Sequence, residues 1–221
     1  MSEIVFRCSS LGRLMTEPRS KSESLSETAK ALCLELFIEK KYGRRKYFDS
    51  KYMFKGREVE ENGITSYNVH VIKTTGEYVE INKNTERRTN DFITGEPDII
   101  TPKLADIKSS WDIFTFWDSK TKPLNKDYFW QLHGYMMLFG HDEADLVYTL
   151  QNTPEEIVKR EARFRVCNDN EFNFDDLPAE EKIFIINIKR DEHAIQSIAD
   201  KVSMAREFIR DLDKRCQKDS C

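Results

Sequence analysis

The sequence predicts an α/β domain in which a central mixed β-sheet is flanked by α-helices. Apolar residues recur at helical spacing in several long segments, and shorter segments rich in β-branched and aromatic residues lie between them. The predicted order is helix, helix, several strands, helix, strand, helix, strand and helix, which is typical of layered α/β proteins. Because 221 residues suffice for one substantial core, we predict a single domain over residues 1–221.

Composition and charge restrict the class of protein. A hydrophobic content of 39% with 33% charged residues is typical of a soluble globular protein. The net charge of -4 argues against a surface that is positive all over, so a polyanionic partner must be bound at a focused site. The chain has no run of 18 apolar residues and no signal-peptide pattern, so we expect no membrane span and a cytoplasmic location. The five cysteines are then reduced thiols.

In the first third of the chain, we predict a polar loop followed by two helices. Residues 16–26 are rich in serine and charge, and predict a mobile loop that ends in a helix-capping box opened by Ser24. A second helix is predicted to begin near Ser50 and to continue through Gly56 and Gly63. Each glycine costs about 1 kcal/mol in a helix interior. Both therefore indicate close packing against a neighbour.

The rest of the chain alternates strand and helix patterns. Four strands are predicted between residues 77 and 117, in EYVEINKNT, NDFITGEPDIIT, KLADIKSSW and DIFTFWD. Residues 127–140 are apolar nearly all round, which predicts a buried helix. The remaining predicted elements are a strand at 144–151, a helix from Pro154, a strand at 182–191 and an amphipathic helix at 191–215.

Two of the adjacent predicted strands carry charged residues in apolar surroundings. Asp98 follows Pro97, and Asp106 and Lys108 lie two residues apart on the next strand. Residues two apart share a face, so Asp106 and Lys108 project together while Ile107 points the other way. Paired strands lie about 4.8 Å apart, so Asp98 and Asp106 can converge on one ion. Because Mg²⁺ prefers carboxylate oxygens, the pattern predicts a metal site beside a lysine.

Each of these residues also has a purely structural explanation. Asp106 and Lys108 alone would most often form a surface ion pair, with Asp98 capping a turn. Glu60 on the second helix is either a third carboxylate of the site or a solvated helix residue. Gln131 and Tyr135 lie one turn apart on the buried helix and need hydrogen-bond partners there. Those partners are either structural groups or the lysine, a metal-bound water or a substrate.

The motifs taken together resemble the PD-(D/E)xK nuclease superfamily, closest to its lambda-exonuclease (YqaJ-like) and RecB-like branches. The matching segments, in chain order, are CSSLGRLM, KGREVEEN, EPDII, ADIKSSW, YFWQLHGYMM and IKRDEHAIQSI. The resemblance implies a restriction-endonuclease-like core and metal-dependent hydrolysis of DNA, as a 5′ to 3′ exonuclease on linear duplex DNA in phage-type recombination. It also implies Mg²⁺ or Mn²⁺ as cofactor, a single-strand annealing protein as partner, a ring-shaped trimer, and the cytoplasm of a bacterial or phage-infected cell.

The resemblance also implies roles for individual residues. The implied metal ligands are Glu60, Asp98, Asp106 and the carbonyl of Ile107. The implied catalytic residues are Asp98, Asp106, Lys108, Glu60 and Gln131, with Lys108 positioning the attacking water. The implied DNA contacts are Ser10, Arg13 and Tyr135. Separately, residues 111–130 interleave aromatic residues with Lys120 and Lys122, which predicts either a loop that stacks bases and contacts phosphates or core aromatics beside solvated lysines.

The sequence departs from the lambda type at two points. Asp106 replaces a glutamate, which keeps the charge with a shorter reach. The arginine that binds the 5′-phosphate has no counterpart before the serine segment, where the chain has Glu3, and Arg7 or Arg13 is the substitute. The alternatives are a RecB/Cas4-like single-strand exonuclease, an endonuclease, and a non-catalytic nucleic-acid-binding protein. Three carboxylates argue against the last, because they repel phosphates unless a cation intervenes.

Overall fold

The structure is a computed structural model that describes residues 3–47 and 50–218. The helices are α1 (Leu11–Leu14), α2 (Glu27–Tyr42), α3 (Lys51–Glu58), α4 (Glu60–Thr75), α5 (Ile113–Thr121), α6 (Lys126–Phe139), α7 (Glu155–Glu161) and α8 (Glu192–Lys218). The strands are β1 (Phe6–Arg7), β2 (Arg88–Thr89), β3 (Ile93–Gly95), β4 (Leu104–Ser109), β5 (Glu143–Thr149) and β6 (Ile183–Lys189). Short 3₁₀ turns occupy Cys8–Ser10, Asp169–Glu171 and Ala179–Lys182.

These strands form two three-stranded mixed sheets, which confirms the predicted α/β class. In the first sheet β3 is central, parallel to β1 and antiparallel to β2. In the second, β5 is central, parallel to β4 and antiparallel to β6. An antiparallel bridge between Ile99 and Ala105 adds the segment before β4 to the other edge of that strand.

The second sheet separates two apolar clusters, because successive strand residues face opposite sides. Leu104 and Leu146 belong to the larger cluster, which also includes buried residues of α6 and α8. Ala105 and Ile107 belong to the smaller cluster, with Ile64 of α4. Asp106 and Lys108 alternate with these residues, so they lie on the α6 side of the sheet.

Two helix boundaries differ from the prediction. The cap of α2 is Ser26 rather than Ser24, and its hydroxyl accepts a hydrogen bond from the Ala29 amide at 3.0 Å. Ser50 does begin the next helix, but the predicted single helix is two helices interrupted at Val59. The break makes Glu60 the first residue of α4, rather than a residue in the middle of a longer helix.

Two of the predicted strands were wrong. Residues 112–118 begin a helix, because Asp112 and Thr115 form a reciprocal capping box whose two backbone hydrogen bonds start α5. Residues 77–85 have no regular structure. There the side chain of Asn84, rather than a strand ladder, bonds the backbone of Glu86 and Pro97.

Two further expectations concern the polar loop and membrane-spanning helices. The polar segment 16–26 is irregular up to its capping residue, and its mobility stays a prediction. In the described part of the chain, every helix is too short or too polar to cross a membrane.

Candidate active site

Strand pairing brings the two aspartates together. Ile99 and Ala105 exchange two backbone hydrogen bonds, at 3.1 and 3.0 Å, which sets Asp98 opposite Asp106. One carboxylate oxygen of Asp98, Oδ2, accepts a 2.6 Å hydrogen bond from the Ile107 amide. Within a strand, residues two apart direct their backbone groups to the same edge, so the Ile107 carbonyl also faces the Asp98 side.

Lys108 and Gln131 complete this cluster from the side of α6. Lys108 Nζ lies 2.5 Å from Asp106 Oδ2 and, at the long distance of 3.5 Å, from Gln131 Oε1. The Gln131 amide nitrogen donates to Asp106 Oδ1 at 3.2 Å and to the Tyr135 hydroxyl at 2.9 Å. The structure therefore brings together Asp98, Asp106, Lys108, Gln131 and Tyr135, and their catalytic and metal-binding roles stay predictions. Tyr135, predicted as a DNA contact, is 5% exposed and bonds Gln131 here, so its role toward DNA also stays a prediction.

The electrostatics of this cluster are those of crowded carboxylates. Burial, reinforced by the charge of Asp106, raises the pKa of Asp98 well above its usual range. Burial opposes the charge of Lys108, but Asp106 outweighs burial and keeps the pKa of Lys108 above its ordinary value. Despite its close ion pair with Lys108, Asp106 Oδ2 is buried without an aligned hydrogen-bond donor.

The donor set fits a hard divalent cation. Two facing aspartates and a backbone carbonyl at the same edge supply the oxygen ligands that such cations use. Within residues 3–47 and 50–218, however, no three carboxylate, imidazole or thiolate groups are close enough to form a ready site. Glu60 pairs through Oε2 with Lys83 Nζ at 3.1 Å, and its charge adds to the rise in the pKa of Asp98.

The helix that begins at Glu60 packs unusually close to β4. A Cβ placed on Gly63 would lie 2.6 Å from Ile107 Cγ2, so only glycine fits there without movement. This contact confirms the predicted close packing at Gly63. At Gly56 the prediction was wrong, because a Cβ there would meet no atom within 4 Å.

The predicted DNA contacts outside this cluster lie elsewhere. Ser10 and Arg13 line an open cavity of about 620 Å³ that also includes Arg7. The two arginines pair with carboxylates there, Arg13 with Glu35 at 2.8 Å and Arg7 with Glu39 at 2.9 Å.

Lys120 lies in the last turn of α5, and Lys122 is the residue that caps its C-terminal end. The ammonium group of Lys120 lies over the Trp117 ring at 4.8 Å, and that of Lys122 pairs with Asp118 at 2.5 Å. The structure brings neither lysine into contact with the aspartate cluster, and their role in binding DNA stays a prediction.

Three further residues, which the sequence analysis did not assign to the site, contact its members. The Tyr128 ring lies 4.7 Å from Lys108 Nζ. Lys83 contacts Glu60 across 23 residues of chain, and the Asn84 amide donates to the Asp98 carbonyl at 2.7 Å. The contacts of Tyr128 with Lys108 and of Lys83 with Glu60 join residues far apart in the chain, so no local sequence spacing reveals them. Only the polar pair at Asn82 and Asn84 within 77–85 could have indicated a side-chain-bonded loop.

Lys55 holds α3 against the turn after β4. Its side chain is 1% exposed, and its ammonium group donates to the Trp111 carbonyl at 2.8 Å. Burial lowers the pKa of Lys55 from 10.5 to about 8. Between these values the unfolded chain holds a proton that the folded chain lacks, so the free energy of unfolding rises with pH in this window.

We therefore expect wild-type stability to increase from pH 8 to 10.5 relative to a Lys55→Met variant, by about 3 kcal/mol at most. Urea unfolding of both proteins at several pH values measures this difference. A difference that stays constant across the window would contradict the inferred burial of the charge.

Comparison with solved structures supports the architecture. A phage-related exonuclease from Haemophilus somnus 129PT matches with a TM-score of 0.76 and 31% identity, over 97% of each chain. An alkaline exonuclease from Laribacter hongkongensis matches with a TM-score of 0.65 and 20% identity, over 97% of this chain and 94% of that one. Its complex with dAMP gives a TM-score of 0.64 at 18% identity. No protein-family model and no curated protein matches the sequence.

Proposed function

This chain belongs to the lambda-exonuclease (YqaJ-like) family of PD-(D/E)xK nucleases, and on that premise we propose that it is a metal-dependent exonuclease that hydrolyses the phosphodiester bonds of DNA. The observation that carries the proposal is the cluster of Asp98, Asp106, Lys108 and Gln131, in a chain that is 31% identical to a phage-related exonuclease over its length.

In the proposed mechanism each residue of the cluster has a separate role. Lys108 is held by Asp106 and Gln131, so its ammonium group has a fixed position from which to orient a water and offset charge on the scissile phosphate. Asp98, Asp106 and the Ile107 carbonyl would hold Mg²⁺ or Mn²⁺, joined by Glu60 once it leaves Lys83. The bound cation supplies Lewis-acid stabilisation of the oxygens that attack and leave phosphorus. Tyr135 fixes the amide of Gln131 and so keeps its carbonyl oxygen toward Lys108.

The finer parts of the proposal rest on family membership. We propose 5′ to 3′ degradation of linear duplex DNA in phage-type recombination, with a single-strand annealing protein as partner, assembly into a ring-shaped trimer, and a cytoplasmic setting. Ser10, with Arg7 or Arg13, is proposed to meet the 5′-phosphate. For this, each arginine must exchange its present carboxylate partner for the phosphate.

Purified protein tests this proposal on matched DNA substrates. With Mg²⁺, linear duplex carrying a 5′-phosphate is expected to release mononucleotides from its 5′ ends, while a covalently closed circle stays intact. Addition of EDTA is expected to stop the release. Cutting of the circle would favour an endonuclease, and preference for single strands would favour a RecB/Cas4-like enzyme. Binding without any hydrolysis would identify a non-catalytic protein of the same fold.

A further inference from the structure

Lys83 lies beside the site on a segment with no regular structure, yet its backbone is fixed on both sides. Ile81 is 5% exposed and packs in the cluster that contains Ile99 and Ile107. Asn84 is 7% exposed, and its backbone amide donates to the Asp98 carbonyl at 2.7 Å. A lysine between two such anchors has a defined starting position, although its own side chain is 44% exposed.

The negative charge around Lys83 comes from two proposed metal ligands, Glu60 and Asp98, and from the neighbouring Glu61. Its ammonium group lies 3.1 Å from Glu60 Oε2, and Asp98 and Glu61 contribute further negative potential. Lys108 already neutralises part of the charge on Asp106. Glu60 is therefore the carboxylate of the proposed set that pairs with a solvent-accessible lysine.

A divalent cation and an ammonium group compete for the same carboxylate. Two positive charges that converge on Glu60 repel one another, and the repulsion is large at these distances even in a polarisable site. An ammonium group released there still lies at the mouth of the site, where the phosphates of DNA need cations to approach three carboxylates. Its side chain is exposed enough to turn toward them without moving the anchors at Ile81 and Asn84.

We propose that Lys83 is an exchangeable counter-cation of the metal site: it holds Glu60 while the metal is absent, and contacts a DNA phosphate once the metal has taken that carboxylate. This inference rests on the proposed function, because it requires a metal bound by Glu60. The two successive partners of Lys83 are Glu60 and a DNA phosphate. The first is tested by metal affinity and the second by DNA affinity.

The first measurement is metal affinity without DNA, by calorimetric titration with Mg²⁺ and with Mn²⁺. Lys83→Gln is expected to bind metal about five-fold or more tightly than wild type, because the competing charge is gone. Lys83→Arg is expected to stay close to wild type. The control is Lys73→Gln, at the opposite end of α4 and about 20 Å from Glu60, which removes the same charge and should leave affinity unchanged.

The second measurement is affinity for a duplex with hydrolysis-resistant phosphorothioate linkages. With metal present, Lys83→Gln is expected to bind about three-fold or more weakly than wild type, as for the loss of one phosphate contact. In EDTA, where Glu60 still holds the lysine, the two proteins are expected to bind alike. An equal loss in both conditions would make Lys83 a constitutive DNA contact and overturn the exchange.

These results separate failure of this inference from failure of the proposed function. If wild type neither binds metal nor hydrolyses DNA, both the proposed function and the exchange role of Lys83 are refuted. If wild type does both, but Lys83→Gln binds metal no more tightly, only the exchange is refuted.

Discussion

Replacing Lys108 by methionine is expected to lower the rate of DNA hydrolysis by about 10³-fold in the presence of Mg²⁺. The methionine keeps the length and apolar contacts of the side chain but removes the ammonium group that lies 2.5 Å from Asp106. The side chain at this position then no longer orients the water or offsets charge on phosphorus. Single-turnover hydrolysis of an end-labelled duplex measures the effect separately from product release.

Folding must be separated from chemistry in this experiment. Without Lys108, the buried Asp98 and Asp106 face each other with less compensation, which destabilises the metal-free protein. The double variant Lys108→Met with Asp106→Asn removes one charge of each sign, so it is expected to recover stability while staying inactive. Lys159→Met, on the exposed surface of α7, is the matched control and should behave as wild type. A folded Lys108→Met protein with wild-type rate would refute the role of Lys108.

Replacing Gly63 by alanine is expected to lower the free energy of unfolding by about 1–3 kcal/mol, although alanine is the better helix former. The new methyl group would lie 2.6 Å from Ile107 Cγ2, so either α4 or β4 must move. Because Ile107 stands between Asp106 and Lys108, we also expect hydrolysis to slow by about ten-fold or more. Urea unfolding and the hydrolysis assay measure the two effects.

A neighbouring glycine supplies the control. Gly56→Ala has no atom within 4 Å of the new methyl group, so it is expected to be neutral or to stabilise by up to about 1 kcal/mol. The cause is tested by combining Gly63→Ala with Ile107→Ala, which removes the opposing methyl group. The double variant should then be more stable than the two separate losses predict. If the two losses of unfolding free energy simply add, the destabilisation by Gly63→Ala does not come from its contact with Ile107.

The centre of the site was predictable because strand alternation is a strong constraint. Residues two apart on a strand share one face of the sheet. This rule alone predicts that Asp106 and Lys108 lie side by side and that Ile107 points to the opposite face. The one-turn spacing of Gln131 and Tyr135 likewise predicted a shared helix face, and their hydrogen bond confirms it. In each case a short local period determines the geometry.

Other features depended on contacts that no local period records. Aromatic residues in 112–118 favoured a strand, but the capping box of Asp112 and Thr115 starts a helix there. The alternation in 77–85 also favoured a strand, yet the side chain of Asn84 bonds the backbone instead. The ion pair of Lys83 with Glu60 joins an irregular segment to α4, so only the folded chain reveals it.

The hydrogen bond from the Ile107 amide to Asp98 has a spectroscopic consequence. This amide is bound by a carboxylate at 2.6 Å, whereas the neighbouring Ala105 amide is bound by a peptide carbonyl at 3.0 Å. A carboxylate changes its electron density whenever it gains a proton or a cation, and a peptide carbonyl scarcely does. The amide resonance of Ile107 is therefore a built-in reporter on the charge of the site, with Ala105 as its internal reference.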